Sequence, residues 1–114
     1  MLTIDALRSY GANVDEGLER CMKNEMFYLR LVKMALADPN FEKLETALPA
    51  GDWVGAFEAA HALKGILGNL ALTPMYDPIN ELTEILRPKQ PCDFKALFEQ
   101  FSEAKKAFVQ IVTG

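Results

Sequence analysis

The sequence predicts an all-α protein, an antiparallel four-helix bundle with additional short helices at its N-terminus. Apolar residues recur at the helical period through almost the whole chain, and patterns typical of strands are nearly absent. Short segments marked by Pro or Gly separate the periodic stretches. Amphipathic helices joined in this way bury their apolar faces most simply against one another. Because a chain of 114 residues builds one core, we expect a single domain that covers residues 1–114.

Three N-terminal helices are predicted, with the bounds Leu2–Tyr10, Val14–Lys23 and Glu25–Ala37. Gly11 ends the first helix, and Asn13 and Asn24 are the expected N-caps of the second and third, which could also be continuous. The predicted buried face of the third helix consists of Phe27, Leu31, Met34 and Leu36 or Ala35.

Four further helices follow, with the predicted bounds Phe41–Leu48, Trp53 to about Ala71, a third helix that ends at Arg87, and a last one that ends at Val112. Asp52 and Asp93 are the expected N-caps of the second and fourth. Thr73-Pro74 and Asp77-Pro78 both match a cap followed by proline, and we favour the earlier start with some distortion at the second proline.

Composition excludes several classes of protein. Half of the residues are hydrophobic and a quarter are charged, which is typical of a globular domain. A net charge of -4 with scattered basic residues argues against a nucleic-acid partner. No apolar run approaches the ~20 residues of a membrane span and no signal peptide is apparent, so we expect a cytoplasmic protein with no membrane partner. Cys21 and Cys92 have no metal-ligand spacing and are interpreted as packing residues.

The single histidine, His61, has an unusual set of neighbours on its predicted helix. At 100° per residue, Lys64, Gly65 and Gly68 share the face of the imidazole. The opposite face carries Ala56, Ala59, Leu63, Ile66, Leu67 and Leu70. The ring is therefore expected to point to solvent. Each interior glycine costs a helix roughly 1 kcal/mol relative to alanine, so a reason other than helix stability is expected for both.

Val54 and Phe57 are predicted to lie beside His61 and away from the core, with Glu58 and Asn69 at the flanks of the same face. Two large apolar residues next to an exposed imidazole favour a surface that docks a partner. Enzyme chemistry is less favoured. A metal site needs more than one good ligand, and no Ser or Cys nucleophile lies near the histidine on this helix. No glycine-rich nucleotide loop is present either.

The string Ala60-His61-Ala62-Leu63-Lys64-Gly65, followed by Gly68 and Asn69, resembles the signature of histidine-containing phosphotransfer (HPt) domains. The turn Ala50-Gly51-Asp52-Trp53, Leu82 and the early segment Gly17-Leu18-Glu19-Arg20 are also similar to the family. Two positions depart from it. Ala71 stands where the family often has glycine, and Thr83 where an acidic residue often follows the leucine.

The resemblance implies that His61 accepts a phosphoryl group from a receiver-domain phosphoaspartate and passes it to another receiver aspartate. Neutral imidazole is a competent nucleophile near pH 7, which agrees with that role. Lys64 would offset the charge of the phosphoryl oxygens, and Gly65 and Gly68 would leave room for the phosphoryl group and the receiver loops.

On this interpretation the protein is a carrier without turnover of its own. Its expected partners are response-regulator receiver domains and a hybrid sensor histidine kinase. It needs no cofactor, because the Mg²⁺ is expected on the receiver, and its core favours a monomer. The docking residues are expected to be Val54, Phe57, Glu58, Gly65, Gly68 and Asn69. The alternative is a non-catalytic helical adaptor or regulatory module that binds a kinase or response regulator through the same face.

Overall fold

The computed structural model describes residues 1–114 and consists of seven helices with no strand. The helices are α1 (Ile4–Tyr10), α2 (Val14–Arg20), α3 (Glu25–Leu36), α4 (Asn40–Ala50), α5 (Trp53–Asn69), α6 (Thr73–Leu86) and α7 (Lys95–Thr113). The all-α fold class is therefore confirmed. None of the helices combines the length and the apolar character that a membrane span requires.

Helices α4 to α7 form the bundle, since each packs extensively against the next along the chain. Stacking of the Phe41 and Phe101 rings, with centres 6.0 Å apart, brings α4 against α7. Their shared core includes the fully buried residues Leu44, Leu63, Leu67, Ile79, Leu82, Phe101 and Phe108. Burying a side chain of this size contributes about 1.5–3 kcal/mol, so the common core holds the four helices together.

The short helices pack on the outside of the bundle. Tyr10 of α1 donates a hydrogen bond of 2.8 Å to the Ala104 carbonyl of α7 and packs its ring near Phe108. Tyr28 of α3 donates its hydroxyl proton at 2.8 Å to the carbonyl of Leu70, immediately after α5. Burial raises the pKa of Tyr28 to about 12. Helices α1 and α3 are thus each fixed by a tyrosine that donates to a backbone carbonyl in or next to a bundle helix.

The turn between α5 and α6 uses a left-handed alanine. The helix ends at Asn69, two residues before the predicted end, and Ala71 has φ +55°. The N–H of Ala71 donates to the Gly68 carbonyl at 3.1 Å, and the N–H of Leu72 donates to the Leu67 carbonyl at 3.0 Å. This is a Schellman ending, in which glycine is usual because L residues pay roughly 1 kcal/mol or more for left-handed backbone. The turn therefore forms despite the departure noted in the sequence.

The starts of the helices largely follow the predictions. Asn13, Asn24 and Asp52 each accept a backbone hydrogen bond as the N-cap, as predicted. The earlier start of α6 is confirmed, although its N-cap is Leu72 and Thr73 is the first helical residue. The Asp93 cap is wrong by one residue. Phe94 occupies the cap position of α7, and Asp93 accepts only a 3.3 Å bond from the N–H of Lys95.

The predicted face of α3 is wrong at Phe27 and Met34, whereas Ala35 is buried and Leu31 and Leu36 are partly buried against the core. Tyr28, Val32 and Ala35 are buried, whereas Phe27 is 44% exposed and Met34 is 60% exposed. The helix is apolar over most of its circumference, so periodicity alone did not decide its rotation. The buried tyrosine decides it.

Helix α2 ends at Arg20, three residues before the predicted end. Met22 and Lys23 have φ of +58° and +59°, which a right-handed helix does not accommodate, and Met22 is 90% exposed.

Cys21 is buried and Cys92 is half-buried against the core, and neither forms a disulfide, so both serve as packing residues as predicted. Thr83 is also buried, and its hydroxyl donates to the Ile79 carbonyl at 2.7 Å, which satisfies the polar group.

Candidate functional site

Helix α5 presents His61 to solvent at its middle. The Asp52 side chain begins the helix by accepting a 3.0 Å hydrogen bond from the N–H of Gly55. The buried face of α5 carries Ala56, Ala59, Ala60, Leu63 and Leu67, all of them fully buried. His61 points away from this face and is exposed, as predicted. Its imidazole is therefore accessible to a reactant from outside the protein.

The surface beside His61 is open because of Gly65. A Cβ atom at this position would have no neighbour within 4 Å. Lys64, next to it in the helix, forms no ion pair, and together with His61 these residues line an open cavity of about 610 Å³. A small anion or the loops of a partner can therefore approach the imidazole and the ammonium group from the same side.

Gly68 lines the same cavity but has an internal contact that the sequence analysis missed. A Cβ atom there would lie 2.9 Å from Cε1 and 3.3 Å from Cδ1 of Tyr76 in α6. The Arg20 guanidinium of α2 also donates a hydrogen bond to the Gly68 carbonyl. The absent side chain therefore lets Tyr76 of α6 approach α5, while the backbone carbonyl of the same residue binds α2. The two glycines that looked equivalent in the sequence have different surroundings.

Alanine substitutions are expected to separate the two glycines. Gly65→Ala should raise the free energy of unfolding by about 1 kcal/mol, because alanine is the better helix former and its methyl group meets nothing. Gly68→Ala should fail to give this gain, since its methyl group displaces the Tyr76 ring. Urea unfolding followed by circular dichroism measures both. Equal stabilisation by the two variants would contradict the internal role of Gly68.

Phe57 was predicted to lie away from the core, but the structure places it in contact with the core. Its side chain is half-buried and packs against the core, while its ring centre lies 5.6 Å from that of His61 at an interplanar angle of 51°. Arg87 and Lys89, at the end of α6 and just after it, lie over the same ring at 5.4 and 5.3 Å. Val54 is 50% exposed, which agrees with its prediction.

Residues 34–109 match the family model described as the Hpt domain. This match covers well over half of the chain. The chain belongs to the Hpt domain family. Membership gives it a histidine phosphotransfer role in a phosphorelay, as a phosphoryl carrier that interacts with two-component partners such as receiver domains. Searches of curated proteins and of solved structures found no match.

The matched region of this Hpt domain contains His61 but leaves out α2 and its N-cap, which form one wall of the cavity. Asn13, Glu16 and Arg20 contribute this wall, and the arginine donates to Glu16 at 2.5 Å. Arg20 belongs to the early segment that is similar to the family, but nothing in the sequence places these residues beside a histidine more than forty positions away. Only the packing of α2 on α5 places them there.

The opposite side of the Hpt site carries a carboxylate, Glu84 of α6. A hydrogen bond from Arg87 holds the pKa of Glu84 below its ordinary value, and the nearby charges of Lys64 and His61 lower this pKa further. The ion pair with Arg87 thus balances the charge of Glu84, while Asp77, also in α6, lines the cavity itself. Glu58 differs, because it does not line the cavity and lies 3.9 Å from Lys43 of α4. Asn69 lines the cavity beside Gly68.

Proposed function

We propose that His61 is the phosphoacceptor of this Hpt domain, taking a phosphoryl group from the phosphoaspartate of one receiver domain and passing it to the aspartate of another. The observation that carries the proposal is the exposed imidazole in the middle of α5, beside the open surface at Gly65 and the unpaired ammonium group of Lys64. A carrier needs this access, because the reacting aspartate belongs to another protein.

The reaction requires only the imidazole from this chain. The lone pair of a ring nitrogen attacks the phosphorus of the acyl phosphate, an N–P bond forms, and the P–O bond to the aspartate breaks. The carboxylate of the receiver leaves with the bonding electron pair, and the imidazole releases the proton of its other nitrogen to solvent. Transfer to the next receiver reverses these steps, so the domain returns to its starting state without turnover of its own.

Docking is assigned to the face around His61, formed by Val54, Phe57, Glu58, Gly65, Gly68 and Asn69. The half-exposed valine and the partly buried phenylalanine supply the apolar part of this face. Receiver domains and a hybrid sensor histidine kinase are the proposed partners. We assign the Mg²⁺ of the reaction to the receiver domain, where the metal would balance the charge of the phosphoryl group on the aspartate.

Lys64 is proposed to stabilise the phosphoryl group. It lies one turn from His61 on the same cavity, and no carboxylate pairs with it. Lys64→Ala is expected to slow transfer or shorten the phosphohistidine lifetime by about tenfold, since a charge-assisted contact contributes on the order of 1 to 3 kcal/mol. Transfer reactions with a labelled phosphorylated receiver, quenched at successive times, measure the rate of transfer and the rate of phosphohistidine loss. Rates equal to those of the parent in both directions would remove the lysine from the mechanism.

The proposed function is tested by incubating the protein with a phosphorylated receiver domain. A phosphate that is stable to base and labile to acid, and that maps to His61, supports the carrier role. Binding of the receiver without any transferred phosphate would instead indicate the adaptor alternative. The unphosphorylated receiver serves as the control for binding.

A further inference from the structure

A second lysine lies close to the site although the carrier mechanism has not used it. Lys89 follows the end of α6, and its Nζ lies 5.3 Å from the ring centre of Phe57. The same ring lies 5.6 Å from the imidazole of His61. One aromatic side chain therefore contacts both the lysine and the proposed phosphoacceptor.

Lys89 differs from its neighbour Arg87, which also lies over Phe57. The arginine is bound to Glu84, with Nε and Nη2 donating to the same carboxylate oxygen at 3.2 and 2.7 Å. Lys89 has no carboxylate partner within ion-pair distance. Its charge is therefore free to meet a new anion, whereas that of the arginine is already balanced.

The backbone holds Lys89 in this position. The residue has φ +58°, and its N–H donates to the Leu86 carbonyl at 2.9 Å, so it belongs to a tight turn at the end of α6. Pro88 precedes it and Pro91 follows shortly after, which restricts the chain on both sides. The side chain starts from a fixed point next to the site, and only its flexible methylene groups need to move.

We infer that Lys89 is a second phosphoryl-binding cation, which moves from the Phe57 ring to the phosphoryl oxygens when His61 is phosphorylated. The phosphoryl group adds close to two negative charges beside the ring. A charge-assisted hydrogen bond to such a group is stronger than an exposed cation–π contact, so the ammonium group changes partner. No covalent bond and no proton is exchanged in this movement. The inference rests on the proposed phosphorylation of His61.

The test phosphorylates His61 directly with phosphoramidate, so that no receiver is needed. In Lys89→Gln, the half-life of the phosphohistidine is expected to fall about two- to fivefold, in keeping with one partly exposed charge contact. The protonation midpoint of the phosphoryl group, followed by ³¹P NMR, should rise, because a nearby positive charge favours the dianion. Lys89→Arg should retain parent values. Lys33→Gln, at an exposed lysine of α3 that likewise has no carboxylate partner, is the matched control.

Two results would overturn the inference and are distinguishable. If His61 is labelled and both the half-life and the midpoint of Lys89→Gln equal those of the parent, Lys89 does not bind the phosphoryl group, and the carrier function stands. If neither phosphoramidate nor a phosphorylated receiver labels His61, the carrier function fails and this inference fails with it.

Discussion

Replacing His61 with glutamine is expected to abolish phosphate uptake from a phosphorylated receiver. Glutamine keeps a polar side chain of similar size but has no nucleophilic nitrogen. The free energy of unfolding should stay within about 0.5 kcal/mol of the parent value, because the ring is exposed and makes no hydrogen bond within the protein. Transfer of labelled phosphate and denaturant unfolding measure the two effects.

The pair of measurements separates a chemical role from a structural one. If the His61→Gln variant still takes up acid-labile phosphate, the acceptor lies elsewhere. A large loss of stability would instead show that the contact of the imidazole with Phe57 holds α5 in place. The expected outcome is a complete loss of phosphate uptake with an unchanged unfolding curve.

Gly65→Gln is expected to slow transfer from a receiver by more than about tenfold, an effect comparable to losing a central interface contact. The position lies one turn from His61, and a Cβ atom there would have no neighbour within 4 Å. The glutamine side chain would therefore extend into the space that a docked receiver would occupy. The fold should be unharmed, since glutamine is the better helix former. Transfer reactions quenched at successive times measure the rate, and circular dichroism measures whether the fold is unchanged.

The control for the Gly65→Gln variant is labelling by phosphoramidate, a donor small enough to pass the glutamine side chain. Retained labelling together with lost receiver transfer would locate the obstruction at docking. Transfer at the parent rate would place the docking surface on another face. Gly68 is a poorer probe of docking, because a side chain there also meets Tyr76 within the protein.

Local pattern was sufficient for much of the fold. The all-α class, the order of the helices and three N-caps follow from apolar spacing and from residues that bind the first turn of a helix. The exposure of His61 also follows, because α5 has one small, aliphatic face and the histidine lies opposite it. These features depend on residues within a few turns of one another, which a sequence displays directly.

The local sequence pattern did not predict the structure where a segment is compatible with more than one buried face or more than one helix end. Helix α3 is apolar on most sides, and the choice between the face of Phe27 and that of Tyr28 depends on the Leu70 carbonyl, far along the chain. The end of α2 likewise required two non-glycine residues, Met22 and Lys23, to adopt left-handed backbone, which their identities disfavour.

What the sequence by itself determined is the family, the fold class and the exposed histidine with its lysine one turn away. What only the tertiary structure decided is the surroundings of that histidine. Arg20 from α2 and Tyr76 from α6 meet at Gly68, while Lys89 reaches the Phe57 ring from beyond α6. The physical reason is that helical periodicity specifies which face of a helix is buried, whereas contacts between helices depend on packing across residues distant in the chain.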